Sequence, residues 1–404
     1  RARNSIIGDS VKRILEFQGY KVETHYYIND VSKQVAMLAL NFKPKDTFDD
    51  LLTRYVDISK KVKENPQLES QVFDLLHKFE HKDKKTVELF NRIVKTAING
   101  QKKIFSSMGI EFDYFDFESR YIDSGKNILK ELEKTGKLFT DKDNRIVLDQ
   151  KGSEFELKMK SPVLVLTRSD GTGLYILRDL AYTIDKCKKG RNIIILGEDQ
   201  KLYFEQLKHA LQLMRKPSPE VVHYSFVLLK DVGKMSTRRG EVVLLEEFLK
   251  EATAKAKEET EKRKTTGDPK KIAVGAVKYA MLRNENNKNI MFDWEQSLNF
   301  EGDSGPYLQY SYARASSILK KAKKSRSKKE KASKEKIGKL DDSEAKLVKK
   351  ILAFPQIVES AEKHLSPSLI ANYSFELAQI FNEFYHSCPV LKSENEAFRL
   401  KLVD

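Results

Sequence analysis

The stretch that most restricts the fold lies between residues 191 and 211. Arg191-Asn192-Ile193-Ile194-Ile195-Leu196 is an apolar run of strand length without polar alternation. A half-exposed strand would alternate, so this one expects cover on both faces, as in a parallel sheet flanked by helices. Gly197-Glu198-Asp199-Gln200 ends the run, and Leu202 to Leu211 follows with helical spacing. Strand, loop and helix in that order make an α/β unit, whose ligands bind at the carboxyl ends of the strands. Ser161 to Leu166 and His223 to Lys230 also read as strands. The fold class expected is α/β with a Rossmann-like parallel sheet, and 404 residues allow two or three domains.

The second of those strands leads into Gly233-Lys234-Met235-Ser236-Thr237-Arg238-Arg239-Gly240, ahead of a helix beginning within Glu241 to Lys250. Glycines at both ends let a loop close over a ligand, and three cations suit a polyanion such as a phosphate chain. A basic surface turn has the same composition. Upstream, Tyr175 and Asp179 are four apart in a helical pattern and share a face. They could hold a guanidinium, the carboxylate by charge-assisted bonds. The spacing equally allows Asp179 to pair with Arg178 or Lys186. Past Gly305-Pro306, Tyr307, Tyr310 and Arg314 fall on one side of a helix. Such a set stacks and hydrogen-bonds unpaired bases, or forms an amphipathic core.

Elsewhere the patterns are structural. Residues 6–15 repeat at helical spacing, closed by Gln18-Gly19-Tyr20. Lys21 to Ile28 alternates as a strand, and Asn29 or Asp30 is placed to cap the next helix. Phe42 to about Gly109 is lysine-rich and helical, with an apolar face from Val87 to Ile98. Phe112 to Ser119 carries no assigned chemistry, and Asp141 to Asn144 is a turn between short strands. His209 and Trp294 read as packing residues. Lys320 to Lys339 is a low-complexity lysine run, a solvated helix end or a disordered loop.

Lys and Arg number 74 against 59 Asp and Glu, a net charge of +15 that favours a polyanionic partner, nucleic acid first. Cys187 and Cys388 are isolated, so neither a disulfide framework nor a metal site is indicated. A reducing cytoplasm suits them. No apolar run approaches a membrane span and no secretory leader opens the sequence.

The loop at 233–240 resembles the KMSKS loop of class I aminoacyl-tRNA synthetases, and Thr237-Arg238-Arg239-Gly240-Glu241-Val242-Val243 looks like its arginyl version. Thr237 stands where the general pattern has its second lysine. Arg1-Ala2-Arg3-Asn4-Ser5-Ile6-Ile7-Gly8-Asp9 is similar to the segment continuing the HIGH motif, with Arg1 at the fourth position, usually His, and the first three upstream of the sequence. Tyr175-x-x-Arg178-Asp179 resembles the motif whose Tyr and Asp bind the substrate arginine. Asn29-Asp30, the Phe112–Ser119 stretch and Phe292-Asp293 also have counterparts. Gly305-Pro306-Tyr307-Leu308-Gln309-Tyr310 looks like the opening of the family's helical anticodon-binding domain.

The resemblance implies ATP-dependent activation of L-arginine and its transfer to the 3′ end of tRNA(Arg), with Mg²⁺ expected alongside ATP. It implies catalytic Lys234, Met235 and Ser236; arginine-binding Tyr175, Asp179 and Gln200; ATP-binding Arg1, Arg3, Gly197, Glu198, Lys234 and Arg238; and tRNA-binding Tyr307, Gln309, Tyr310 and Arg314. No metal ligands are expected in the protein. A catalytic domain spans 1–300, with a helical insertion at 43–110 and closing helices at 265–300, and an incomplete anticodon-binding domain spans 301–404. The sequence is expected to be truncated at both ends, and the protein to be cytoplasmic and monomeric. Two alternatives are a synthetase-like module that binds tRNA without charging it, and a class I synthetase for another amino acid.

Overall fold

The structure is a computed structural model and describes residues 2–229, 245–264, 267–325 and 340–404. The chain forms two compact units.

The first unit is 23–224 in the described residues. Strand His25–Ile28 runs parallel to Tyr114–Phe117, with Tyr27 opposite Asp116. Between them in sequence lie three helices, Phe48–Glu64, Pro66–Glu80 and Lys84–Ser107. Their starts are written in the sequence. Thr47 and Asp50 form a reciprocal capping box, Asn65 caps a helix with Pro66 in its first turn, and Asp83 accepts the Thr86 amide. Phe90, Ile93, Val72 and Leu76 bury against Ala36 and Met37 of helix Lys33–Ala39. That helix is capped by Ser32, not by the expected Asn29 or Asp30. Asp30 is instead 2% exposed and accepts the Ser119 amide at 2.9 Å, which ties it to a loop distant in sequence.

Strands Leu138–Thr140, Ile146–Asp149 and Val163–Val165 form a small antiparallel sheet around the expected 141–144 turn. Strand Ile193–Gly197 pairs in parallel with Glu220–Tyr224, as the unbroken isoleucine run required. Helices Tyr175–Cys187 and Lys201–Leu213 contribute Ile176, Leu180, Leu207 and Ala210 to one buried cluster with Leu148 and Leu164.

The run His223 to Lys230 is not one strand. Pairing with 193–197 stops at Tyr224, and Val227–Leu229 pairs in parallel with Ile290–Phe292 in the other unit. The break follows from backbone hydrogen bonding: the Ser225 amide donates to the Asn286 carbonyl and the Phe226 amide to Asn289 Oδ1.

The second unit, 2–22, 225–229 and 245–404 in the described residues, is mainly helical. Helix Ala2–Phe17 packs on Pro269–Leu282, where Lys278 meets the buried Asp9 at 3.3 Å. Pro269–Leu282 presents Ala273, Gly275, Ala276 and Ala280, and helix Gly305–Ser325 uses this small face for close approach. A Cβ on Gly305 would collide with the Gly275 carbonyl. Phe248 and Phe292 enclose Trp294, so that residue does pack. Four further helices, Asp342–Leu352, Phe354–Lys363, Pro367–Ser387 and Glu396–Val403, complete the unit. Arg399 anchors the last by donating to Glu344 at 2.7 Å, Asp341 at 2.8 Å and the Pro389 carbonyl at 2.8 Å.

Candidate active site

The first unit holds a side-chain cluster richer in carboxylate than in cation. Helix Tyr175–Cys187 opens with Tyr175 and brings Asp179 round to the same side one turn later. The Asp179 carboxylate accepts a hydrogen bond from Tyr203 Oη, on helix Lys201–Leu213. The rings of Tyr175 and Tyr203 are 5.2 Å apart. Tyr27 Oη reaches the cluster from strand His25–Ile28. It is buried beside the Asp179 carboxylate, its one hydrogen-bonding neighbour, and the charge of Glu118 also acts on it.

Arg178 does not pair with its neighbour. It is 3% exposed, and its Nε donates to Glu118 Oε1 at 2.6 Å. Its Nη1 donates to the Gly173 carbonyl at 3.0 Å and lies 3.7 Å from Glu80. Glu118, 1% exposed, opens the 3₁₀ turn after strand Tyr114–Phe117, and its Oε2 is buried with no partner. Desolvation pushes the Glu118 carboxyl up to about 8 despite Arg178, with Asp179 and Asp30 adding to the rise. Burial also raises Asp179, against the Tyr203 hydrogen bond that lowers it, and raises Asp30. Burial lowers Lys186 to about 8. Asp30, Glu118 and Asp179 therefore share one guanidinium, Arg178, which also meets Glu80, and one lysine that burial makes a poor cation. A planar cation with several N–H donors would lower the energy of all three.

The other expected residues are distributed as follows. Gln200 caps helix Lys201–Leu213 one turn before Tyr203, and Gly197 and Glu198 lie at the carboxyl end of strand Ile193–Gly197. A Cβ on Gly197 would displace the exposed Asp199 carboxylate, which now sits against it. Glu198 lies 3.5 Å from Lys201. Arg3, in the second unit, is 2% exposed and gives its guanidinium to the carbonyls of Ser225, Glu285 and Lys288 at 2.7–3.0 Å. Arg1, Lys234, Met235, Ser236 and Arg238 lie outside the described residues.

On helix Gly305–Ser325, Arg314 lies 4.8 Å from the ring centres of both Tyr310 and Tyr385. It also donates to Asn382 at 2.6 Å and Tyr310 Oη at 3.1 Å. Tyr310 is 44% exposed, whereas Tyr307 Oη accepts from Asn382. Gln309 donates to the Lys271 carbonyl and packs over Gly275, in the contact between two helices. Among the described residues, Asp341, Glu344 and Cys388 bring ligand atoms within 4.8 Å of one another. Arg399 already occupies both carboxylates there.

Residues 1–294 match the profile of the tRNA synthetases class I (R) catalytic domain, and 308–404 match the DALR anticodon binding domain. The chain belongs to the arginyl class I tRNA synthetase family. Arginine–tRNA ligase of Methanocaldococcus jannaschii is 37% identical over 420 residues, covering 99% of this chain and 72% of that protein. The same-named protein of Methanothrix thermoacetophila is 38% identical over 408 residues, covering 97% and 71%. The fold is that of the Thermus thermophilus arginyl-tRNA synthetase, with a TM-score of 0.79 at 24% identity over 99% of this chain and 75% of that one. The Plasmodium falciparum arginyl-tRNA synthetase gives 0.79 at 24%, over 100% and 70%. The fold is thus the expected α/β catalytic region followed by an all-helical anticodon-binding region.

In this synthetase the cluster residues that the sequence reading missed are Glu118, Tyr27 and Tyr203. Glu118 had a legible signal, since it directly follows the strand Tyr114–Phe117. Carboxyl ends of parallel strands are where α/β folds bind ligands. Tyr27 and Tyr203 had none, because each depends on contacts made across the fold.

Proposed function

We infer that this protein is an arginine–tRNA ligase that activates L-arginine with ATP and transfers it to the 3′ end of tRNA(Arg). The carboxylate-rich pocket around Asp179 and Glu118 is the observation that carries the amino-acid assignment. Tyr175, Asp179 and Gln200 bind the arginine side, with Glu118 presenting its free Oε2 to the guanidinium. Arg1, Gly197, Glu198, Lys234 and Arg238 serve ATP. Arg3, expected at ATP, instead has its guanidinium taken up by the Ser225, Glu285 and Lys288 carbonyls. Lys234, Met235 and Ser236 serve the catalytic step.

The reaction needs no protein nucleophile. An arginine carboxylate oxygen attacks the α-phosphorus of ATP and pyrophosphate leaves. The terminal ribose hydroxyl of the tRNA then attacks the adenylate carbonyl and AMP leaves. The protein contributes positioning and charge stabilisation. Mg²⁺ arrives with the ATP phosphates as part of the substrate. Lysine is rejected because buried acceptors built for a guanidinium go unpaired with it, a mode that discriminates by about 10⁴–10⁵.

The catalytic domain is taken as 1–300, with 43–110 inserted and 265–300 closing it, and the anticodon-binding domain as 301–404. There Tyr307, Gln309, Tyr310 and Arg314 serve tRNA, Gln309 by holding the helix in place. No described helix is long and apolar enough to cross a membrane. Cytoplasmic residence and a monomeric state complete the reading. Arginine-dependent ATP–pyrophosphate exchange, with and without tRNA, tests the activity. Exchange with a different amino acid, or tRNA binding without any exchange, overturns it.

A further inference from the structure

We propose that Tyr27 determines specificity in the arginine pocket, its hydroxyl oxygen accepting an N–H of the bound guanidinium. The proposal rests on the assignment of that pocket to arginine. Its first support is the rigidity of the ring. Tyr27 stacks on Tyr182 with centroids 4.3 Å apart and planes 10° from parallel. Tyr182 is itself fixed, because its hydroxyl donates to Asp116 Oδ2 at 2.7 Å, an oxygen that also meets His25 Nδ1 at 2.7 Å. Asp116 is the cross-strand partner of Tyr27, so the sheet register places strand, stack and anchor together. Tyr121 closes on the edge of Tyr182 at 5.3 Å.

The second support is the state of the hydroxyl. Buried polar atoms nearly always have hydrogen-bond partners. Tyr27 Oη is buried with no partner but the Asp179 carboxylate, and Glu118 Oε2 is buried with none. Both lie by Asp179, whose carboxylate is held by Tyr203. A ring this firmly held has little freedom to turn its hydroxyl elsewhere. With its proton directed to Asp179, Tyr27 Oη keeps a lone pair for a donor arriving in the pocket. A guanidinium spreads five donors over a plane and can serve Asp179, Glu118 and Tyr27 together, whereas a lysine ammonium concentrates three at one point.

Tyr27→Phe removes one oxygen and keeps the stacked ring. In tRNA(Arg) charging by the full chain, KM for L-arginine is expected to rise at least tenfold, with KM for ATP and kcat within about threefold of the parent. The preference for L-arginine over L-lysine should fall by tenfold or more. Without ligand, Tm should change little, since Asp179 keeps the hydrogen bond from Tyr203 when the Tyr27 hydroxyl is deleted. Tyr182→Phe, which loses the Asp116 bond and keeps the stack, should lower Tm while raising arginine KM less than threefold. An unchanged arginine KM in Tyr27→Phe overturns the proposal. So does a fall in Tm accompanied by equal losses for arginine, lysine and ATP, the pattern of a merely structural residue. Asp179→Asn, titrated with L-arginine in parallel, separates the two layers. If it leaves arginine affinity intact, the pocket assignment fails and Tyr27 with it. If it weakens arginine and Tyr27→Phe does not, only the Tyr27 proposal fails.

Discussion

Replacing Asp179 by Asn changes one charge and almost no volume. The Asn side-chain oxygen can still accept the Tyr203 hydroxyl, so the local scaffold is kept. What is lost is the attraction between a carboxylate and the substrate guanidinium. Two unit charges about 4 Å apart at an effective dielectric near 20 interact by about 4 kcal/mol. A residual neutral hydrogen bond, about 1 kcal/mol, offsets part of that loss. The net of about 3 kcal/mol corresponds to roughly a hundredfold weaker Kd for arginine. Calorimetric titration with L-arginine measures it directly, and ATP titrated separately should bind within about threefold of the parent. The free protein should be as stable as before or more so, because the variant removes a desolvated acid. Equal losses for arginine and ATP would refute the argument, as would an arginine effect below about threefold.

Arginine binding is expected to depend on pH through Glu118. Its carboxyl, faced by Arg178, Asp179 and Asp30, titrates at about 8 in the folded protein against 4.5 as the reference value. Binding a guanidinium favours the charged form, so arginine affinity should climb from pH 6 to 8, by up to about tenfold per unit for one proton released. Proton release, read by calorimetry in buffers of different ionisation enthalpy, should vanish in Glu118→Gln. In the free protein the same raised value stabilises most fully below about 4.5, and the contribution disappears as pH rises through about 8. Lys234→Ala should slow adenylate formation by tenfold or more in rapid quench while tRNA binding persists. Loss of tRNA binding with intact activation would reverse that role. Arg399→Ala strands the fully buried Glu344 carboxylate and should cost about 3–5 kcal/mol in chemical denaturation of the anticodon-binding region.

Local chemistry was legible wherever its cause is local. The Ile193–Ile195 run announced a parallel strand, and 193–197 pairs in parallel, though its residues are half-buried and not covered on both faces. The i, i+4 spacing put Tyr175 and Asp179 on one face, and the 175–187 helix carries them so. Reading failed where a long-range partner outbids a near one. Asp30 has the position and chemistry of a helix cap, yet it bonds Ser119, 89 residues on, and Ser32 takes the cap. The apolar run at 223–230 has no internal signal for its break, because the break is made where the Ser225 and Phe226 amides donate to the Asn286 carbonyl and the Asn289 side-chain oxygen.

The amino-acid order settled which residues are acidic, aromatic or cationic, and which stretches coil or extend, since those depend on neighbours three or four positions away. It also carried the family motifs from 1 to 314. Only the folded arrangement decided that Arg178 is committed to Glu118, leaving Asp179 to two tyrosines from separate strands and helices. The charge balance of a pocket is a sum over groups distant in sequence, and desolvation acts on that sum only after the chain has closed around it.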